Sequence, residues 1–322
     1  MASALTTSPS RARASDNAAA DLPLAVGPAM KMRPGVFTNQ TRMKFVLSLI
    51  TNPSKEPISP ALLDRFLHVV EPYRAADAPS ELAPGEAYDI ALEEHPRPDF
   101  LPKIAEIAIH ARVDANIVPA DNRRKKLLIA DMDSTIIEQE CIDELAAFAG
   151  KRKEISEITG KAMRGELDFE GALTERVAML EGLSESVLEE TFAKHISLTP
   201  GAQTLVQTMN ERGAVTALVS GGFTFFTSRV AQRAGFIHQQ ANELLIENGK
   251  LTGKVKHPIL GQAAKLEALE AIAAKHDVPL AETIAVGDGA NDLAMMARSG
   301  LGVAFRAKPA VAQSAEARIT HG

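Results

Sequence analysis

Two aspartates, Asp131 and Asp133, directly follow an uninterrupted apolar run at Leu127–Ala130. Such a run is typical of a strand buried on both faces of a parallel sheet. In extended backbone, residues two apart project to the same side. Carboxylates this close repel one another unless a cation lies between them or one is protonated. The pair therefore indicates a metal site, an acid–base role, or both; the alternative is that both are turn and helix-cap residues ahead of Ser134.

Two segments further along carry groups that could hold an anion. The predicted strand AVTALVS stops at Ser220, Gly221 and Gly222. A small hydroxyl followed by glycines lets backbone N–H groups approach an anion at a helix start, although a simple strand-to-helix turn has the same composition. Lys265 opens a predicted helix, where a cation is unfavourable unless an anion is nearby. It is either a phosphate ligand or a surface lysine.

The segment ETIAVGDGANDLAMM predicts a strand at 283–286 that ends on Asp288, with Asn291 and Asp292 in the turn and helix that follow. Polar oxygens beside two glycines at the carboxyl end of a strand fit a Mg²⁺ site, because hard cations take carboxylate ligands and keep bound water. Helix capping alone would explain one of these residues but not all three.

Residues 142–197 are helical in pattern and could form a lid over the site that precedes them. One predicted helix begins at Asp168 and carries an apolar stripe: Phe169, Leu173, Val177 and Leu180. Arg176 lies seven residues after Phe169, so the two project in nearly the same direction. Arg176 either lays its stem along the core and reaches solvent, or faces the cleft as an anion receptor.

The rest of the chain divides by composition. Residues 1–42 predict a disordered tail, and residues 43–118 predict a small α/β domain without candidate catalytic groups. Residues 119–126, with the basic run RRKK, predict a solvated linker, and residues 127–322 form the main domain.

The bulk composition excludes several classes of protein. The 322 residues are 45% apolar and 24% charged, with a net charge of −6. These values predict a soluble cytosolic protein with no partner nucleic acid or membrane. Cys141 is the only cysteine, which excludes an intrachain disulfide and fits a reducing compartment. We interpret it as a core residue rather than a nucleophile.

The order DMDST, VSGG, Lys265 and GDGAND resembles the haloacid-dehalogenase-like phosphohydrolases, and within them the phosphoserine phosphatases. The resemblance extends over about residues 125–320 and includes ADMDSTIIEQECIDELA and FEGALTERVAML. It implies a Rossmann-like α/β core with a parallel sheet and a helical cap insert. Residues 43–118 have a weaker similarity to ACT-type regulatory domains.

The resemblance also implies catalytic roles. Asp131 is the nucleophile that becomes an aspartyl-phosphate, and Asp133 is the general acid and base. Mg²⁺ is bound by Asp131, the backbone carbonyl of Asp133, and Asp288. Asp292 orders metal-bound water or Lys265.

Substrate binding follows from the same resemblance. Glu140 pairs with the α-ammonium group of the substrate, Arg176 pairs with its carboxylate, and Met163 and Phe169 cover the remaining wall. The phosphoryl group is held by a further set: Ser220, Gly221, Lys265 and Asn291.

The implied activity is Mg²⁺-dependent hydrolysis of O-phospho-L-serine to L-serine, the last step of serine biosynthesis. The alternatives are a related phosphatase or phosphotransferase for phosphothreonine or phosphohomoserine, and a non-catalytic amino-acid sensor. By analogy, the cap contributes to a homodimer. The sequence stops at Gly322, where the family continues with a further segment, and we expect this to affect stability more than chemistry.

Overall fold

The structure, a computed structural model, describes residues 45–52, 54–163 and 167–322. Within these ranges the side chains of residues 160, 162 and 163 are not described. The predicted disordered tail at 1–42 lies outside the described residues. No helix in the described ranges is both long enough and apolar enough to cross a membrane.

The first part of the chain forms a four-stranded antiparallel sheet with two helices. Its elements in chain order are β1 (Phe45–Ile50), α1 (Pro60–Val70), β2 (Ser80–Ala83), β3 (Ala87–Leu92), α2 (Leu101–Ala111) and β4 (Asp114–Pro119). The strands lie in the order β2-β3-β1-β4. The α1 helix begins where Ser59 caps it, accepting a hydrogen bond from Leu62 N at 3.2 Å. Alternate residues of β1, such as Leu47 and Leu49, pack on both helices in a separate core.

The second part alternates strands and helices around a larger sheet. Its elements are β5 (Leu127–Ala130), α3 (Cys141–Phe148), α4 (Arg152–Met163), α5 (Phe169–Ala178), α6 (Ser186–His195), α7 (Ala202–Glu211), β6 (Val215–Phe223), α8 (Thr224–Ala234), β7 (His238–Asn242), β8 (Leu244–Glu247), β9 (Lys250–Val255), α9 (Gln262–Lys275), β10 (Thr283–Gly287), α10 (Leu293–Arg298), β11 (Gly302–Phe305), α11 (Pro309–Ser314) and β12 (Ala317–Ile319).

Six of these strands form one parallel sheet in the order β12-β11-β10-β5-β6-β7. The four residues of β5 are fully buried, and β5 lies at the centre between β6 and β10. This is the two-sided burial that its apolar run predicts. The predicted α/β class with a Rossmann-like parallel sheet is confirmed.

Of the five α-helices described between β5 and β6, the first four, α3 to α6, form the helical insert. Asp168 caps α5 by accepting a hydrogen bond from Gly171 N at 2.6 Å. After α5 the chain pairs with the hairpin of β8 and β9: Gly182 N donates to Leu251 O, and Leu251 N donates to Leu183 O, each at 2.9 Å. The segment of the insert between α5 and α6 is therefore fastened to this hairpin.

The two sheets meet edge to edge at β4 and β12. Asn116 donates to Arg318 O and accepts from Arg318 N, both at 2.8 Å. The Asp114 carboxylate accepts hydrogen bonds from three backbone N–H groups: Thr320, His321 and Gly322. Because Asp114 and Asn116 are both buried, these side chains replace the backbone partners that the two strand edges would otherwise lack.

The basic run before β5 lies in an irregular connector in which Arg123, Arg124 and Lys126 are exposed, and several of its side chains are nevertheless paired. Arg123 forms an ion pair with Asp89, Lys125 donates to the carbonyls of Ala281 and Gly300, and Lys126 pairs with Glu282. The sequence gives no sign of these pairings, because the partners lie far away along the chain.

Candidate active site

Three candidate residues meet at the carboxyl edge of the sheet. Asp131 follows β5, Ser220 lies near the end of β6, and Asp288 follows β10, and these three strands are neighbours. The register pairs Ala130 with both Leu218 and Val286, so β5 and β10 end nearly level with Leu218 of β6. Sites in open α/β folds lie beyond this edge. One difference from the prediction is that β6 continues past Ser220 to Phe223.

Asp131 and Lys265 form a buried ion pair. Asp131 Oδ2 lies 2.6 Å from Lys265 Nζ, and Asp131 Oδ1 accepts a hydrogen bond from Met132 N at 2.7 Å. Lys265 Nζ also lies 2.6 Å from Asp292 Oδ1. Burial alone would lower the pKa of Lys265, but Asp131 and Asp292 together raise it above its usual value. Lys265 therefore carries a full positive charge in the first turn of α9, which begins three residues before the predicted start.

Three carboxylates gather close enough to bind one cation. Asp131, Asp288 and Asp292 each offer an oxygen, and these oxygens lie within 4.8 Å of one another. Burial and the charge of Asp131 raise the pKa of Asp288, and the same causes raise that of Asp292 to about 7. Such crowding of negative charge fits a divalent cation with oxygen ligands. Asp292 is therefore close enough to contribute a metal ligand, whereas the prediction gives it only the role of ordering metal-bound water or Lys265.

The Asp133 side chain lies apart from that cluster. Its Oδ1 accepts a hydrogen bond from Cys141 N at 2.8 Å, and its Oδ2 accepts one from Ser220 Oγ at 3.2 Å. Burial, with the neighbouring Asp131 charge, raises the pKa of Asp133 to about 6. A carboxyl group with such a pKa can both give and take a proton near neutral pH.

Glu140 and Arg176 present opposite charges on the helical insert. Ser134, in a left-handed conformation, donates its Oγ hydrogen to Glu140 Oε1 at 2.6 Å. Glu140 as a whole is exposed, but its carboxyl group is largely surrounded by protein atoms. This burial, together with the Asp133 charge, raises the pKa of Glu140. Burial lowers the pKa of Arg176, whereas Glu140 and Asp143 oppose that shift. Arg176 Nε donates to Ala172 O at 3.1 Å, within its own helix.

Phe169 brings the insert into contact with the Ser-Gly-Gly segment. A Cβ atom added to Gly221 would lie 2.7 Å from Phe169 Cζ, so the ring packs directly on this glycine. Asn291 folds back over Gly289, where an added Cβ would lie 2.2 Å from Asn291 Oδ1. Met163 is the last residue of α4, but its side chain is outside the described part of the chain.

Sequence reasoning missed the roles of the two hydroxyl groups after Asp133. Ser134 holds Glu140, and Thr135 Oγ1 donates to Asp288 Oδ1 at 3.2 Å. Neither hydroxyl has a predicted role. The usable signal was the position of two hydroxyls directly after an Asp-x-Asp pair, but the long separation of Thr135 from Asp288 hides the contact.

The fold and the site define a haloacid dehalogenase-like hydrolase. The model of this family matches residues 128–297, more than half of the chain, and the chain belongs to the family. It is 47% identical over 199 residues to a phosphoserine phosphatase of Archaeoglobus fulgidus, covering 62% of this chain and 58% of that protein. It is 46% identical over 196 residues to a phosphoserine phosphatase of Streptococcus thermophilus, covering 61% of this chain and 91% of that protein. The chain thus spans little more than half of the Archaeoglobus relative.

Two solved structures support the same assignment. A HAD family hydrolase from Salmonella enterica serovar Typhi superposes with a TM-score of 0.74 at 30% identity, over 86% of this chain and 95% of that one. A phosphoserine phosphatase with a phospho-aspartyl intermediate analogue superposes with a TM-score of 0.58 at 41% identity, over 62% of this chain and 94% of that one.

Proposed function

We propose that this protein is a Mg²⁺-dependent phosphoserine phosphatase that hydrolyses O-phospho-L-serine to L-serine and phosphate. The observation that carries the proposal is the buried contact of Asp131 with Lys265 beside Asp288, at the edge where three parallel strands end. The relatives named phosphoserine phosphatase support the choice of substrate. A cytosolic location and a homodimer stay predictions.

The reaction proceeds in two displacements at phosphorus. An Asp131 carboxylate oxygen attacks the phosphorus atom, the bond from phosphorus to the serine oxygen breaks, and Asp133 gives that oxygen a proton. A water molecule then attacks the aspartyl-phosphate, Asp133 accepts its proton, and the Asp131 carboxylate is released with inorganic phosphate. The pKa of Asp133, raised to about 6, suits it to both proton transfers.

The charges around Asp131 support this chemistry. Lys265, Ser220 and the Gly221 N–H hold the phosphoryl oxygens, and Asn291 binds phosphate or orients the water. Asp131 and Asp288 would hold Mg²⁺ together with the Asp133 carbonyl, while Asp292 holds Lys265 and adds negative charge to the cluster. When bound, Mg²⁺ offsets the repulsion between the attacking carboxylate and the phosphate.

Substrate choice rests on the insert. Glu140 would pair with the α-ammonium group and Arg176 with the α-carboxylate, while Phe169 and Met163 cover the remaining wall. This pair favours an amino acid but does not by itself separate phosphoserine from phosphothreonine or phosphohomoserine. The acid–base and nucleophile groups argue against a sensor, which needs neither.

The test is phosphate release from O-phospho-L-serine and L-phosphothreonine, with Mg²⁺ or with EDTA. Wild type is compared with Asp131→Asn and with Asp89→Asn, an aspartate of the small sheet. We expect Mg²⁺-dependent release that prefers phosphoserine, is lost in Asp131→Asn and is retained in Asp89→Asn. Phosphate release only from compounds other than phosphoserine would refute phosphoserine as the substrate. If no phosphate compound is hydrolysed but the protein binds serine, the result would favour the amino-acid sensor.

A further inference from the structure

Asn242, the last residue of β7, uses both ends of its side chain to join the end of β6 to the segment before α9. Its Nδ2 group donates to Gly221 O at 2.9 Å and to Leu260 O at 3.4 Å. Its Oδ1 accepts a hydrogen bond from Leu260 N at 2.7 Å. The residue is only 2% exposed, so none of these bonds can be replaced easily by water.

The first of these is the Ser-Gly-Gly segment at the end of β6. Gly221 C=O and Gly222 N–H belong to one planar peptide group, so fixing the carbonyl also fixes the direction of the N–H. Gly222 N donates to Ser220 Oγ at 2.8 Å. With that acceptor position filled, Ser220 gives its own hydrogen to Asp133 Oδ2 at 3.2 Å. A continuous path of bonds therefore runs from Asn242 to Asp133.

The second segment leads into α9. Leu260 is two residues before the start of this helix, and Lys265 lies in its first turn. Asn242 consequently fixes the distance between the two segments that would hold a phosphoryl group: the Ser-Gly-Gly segment on one side and Lys265 on the other.

We propose that Asn242 is a positioning residue that sets the geometry of the phosphate site without touching the substrate. This rests on the proposed function of the site. An amide suits the position because it donates to Gly221 O and accepts from Leu260 N at once. Aspartate has the same shape but cannot donate when ionised, so Asn242→Asp would set a carboxylate oxygen against the Gly221 carbonyl.

The chain provides a matched control. Asn116 is also buried and also makes one donated and one accepted backbone bond, but both go to Arg318 at the junction of the two sheets. Asn116→Asp therefore makes the same chemical change at a site away from the phosphate.

Four quantities are measured for wild type, Asn242→Asp and Asn116→Asp: the Kd of inorganic phosphate with Mg²⁺, the KM and the kcat for phosphoserine, and the Tm. We expect Asn242→Asp to raise the phosphate Kd and the KM by about tenfold, the effect of losing one buried hydrogen bond. Asn116→Asp should lower Tm but leave Kd and KM unchanged. A merely structural role for Asn242 would lower Tm and kcat with Kd and KM unchanged, which would overturn the proposal.

The phosphate measurement separates this proposal from the proposed function. If wild type binds phosphate but does not hydrolyse phosphoserine, the proposed function fails, and the phosphate Kd of the two variants still decides the role of Asn242. If wild type does not bind phosphate at all, there is no phosphate site to position and this proposal fails as well.

Discussion

The ammonium group of Lys265 lies 2.6 Å from Asp131 Oδ2 and equally close to Asp292 Oδ1, with all three side chains buried. Removing one partner of a buried ion pair leaves an uncompensated charge. We expect Lys265→Ala to abolish turnover and, in EDTA, to reduce the free energy of unfolding by about 3–5 kcal/mol. The measurement is denaturant unfolding with and without Mg²⁺, which should restore part of the loss.

Lys125→Ala is the control for this prediction. Lys125 donates to two backbone carbonyls rather than to carboxylates, so its loss should cost about 1 kcal/mol and be indifferent to Mg²⁺. Equal rescue of both variants by Mg²⁺ would contradict a specific role for the charge of Lys265.

Stability of the metal-free protein should fall as pH rises. An aspartate in the unfolded chain has a pKa of about 4, whereas burial raises the pKa of Asp133 to about 6 and that of Asp292 to about 7. Between these values the folded state binds more protons than the unfolded state, so the free energy of unfolding decreases with pH. Burial and the Asp133 charge also raise the pKa of Glu140, to about 8, so in EDTA we expect a decline from about pH 4 to about pH 8.

Asp133→Asn should make this decline shallower below about pH 6, because it removes one of the carboxyl groups whose pKa is raised by folding. The variant should also be more stable than wild type at about pH 8 while losing turnover. Glu190→Gln, at an exposed carboxylate paired with Lys194, should leave the slope unchanged. Denaturant unfolding across this range measures both; a free energy that rises with pH would contradict the shifted pKa values.

Arg176 should control substrate choice rather than phosphoryl transfer. A charge-assisted pair of hydrogen bonds to a carboxylate contributes about 1.5–3 kcal/mol. Arg176→Ala is therefore expected to reduce kcat/KM for phosphoserine by about 10-fold to 100-fold or more, and kcat/KM for an aryl phosphate much less. Arg152→Ala, an exposed arginine of the same insert, is the control. An equal loss on both substrates would refute the specificity role.

The local chemistry of the site was predictable from the sequence, but the long-range contacts were not. The apolar run before Asp131 and the glycines after Ser220 place both residues at strand ends, because burial and turn geometry leave a local pattern. No local pattern shows that Thr135 reaches Asp288 or that Arg123 pairs with Asp89, since these contacts depend on the packing of distant segments. The same reason explains why Asn242 carried no signal in the sequence.

Gly221 should be intolerant of a side chain because Phe169 occupies the space. A Cβ atom there would lie 2.7 Å from Phe169 Cζ, closer than real carbon contacts, so α5 or the Ser-Gly-Gly segment must shift. A displacement of about 1 Å near reacting groups costs up to about 100-fold in rate. We therefore expect Gly221→Ala to reduce kcat/KM by about 10-fold to 100-fold, although its N–H is kept.

Two further variants separate crowding from other effects of this change. Gly261→Ala adds a Cβ at an ordinary distance of 3.8 Å from the same ring and should retain activity. Phe169→Leu removes the atom that clashes, so the double variant of Phe169→Leu and Gly221→Ala should be more active than Gly221→Ala alone. The kcat/KM values of wild type, the two single variants and the double variant together give the coupling energy between the two positions. If the two effects simply add, the ring is not what excludes a side chain at Gly221, and the loss must come from the backbone of the Ser-Gly-Gly segment itself.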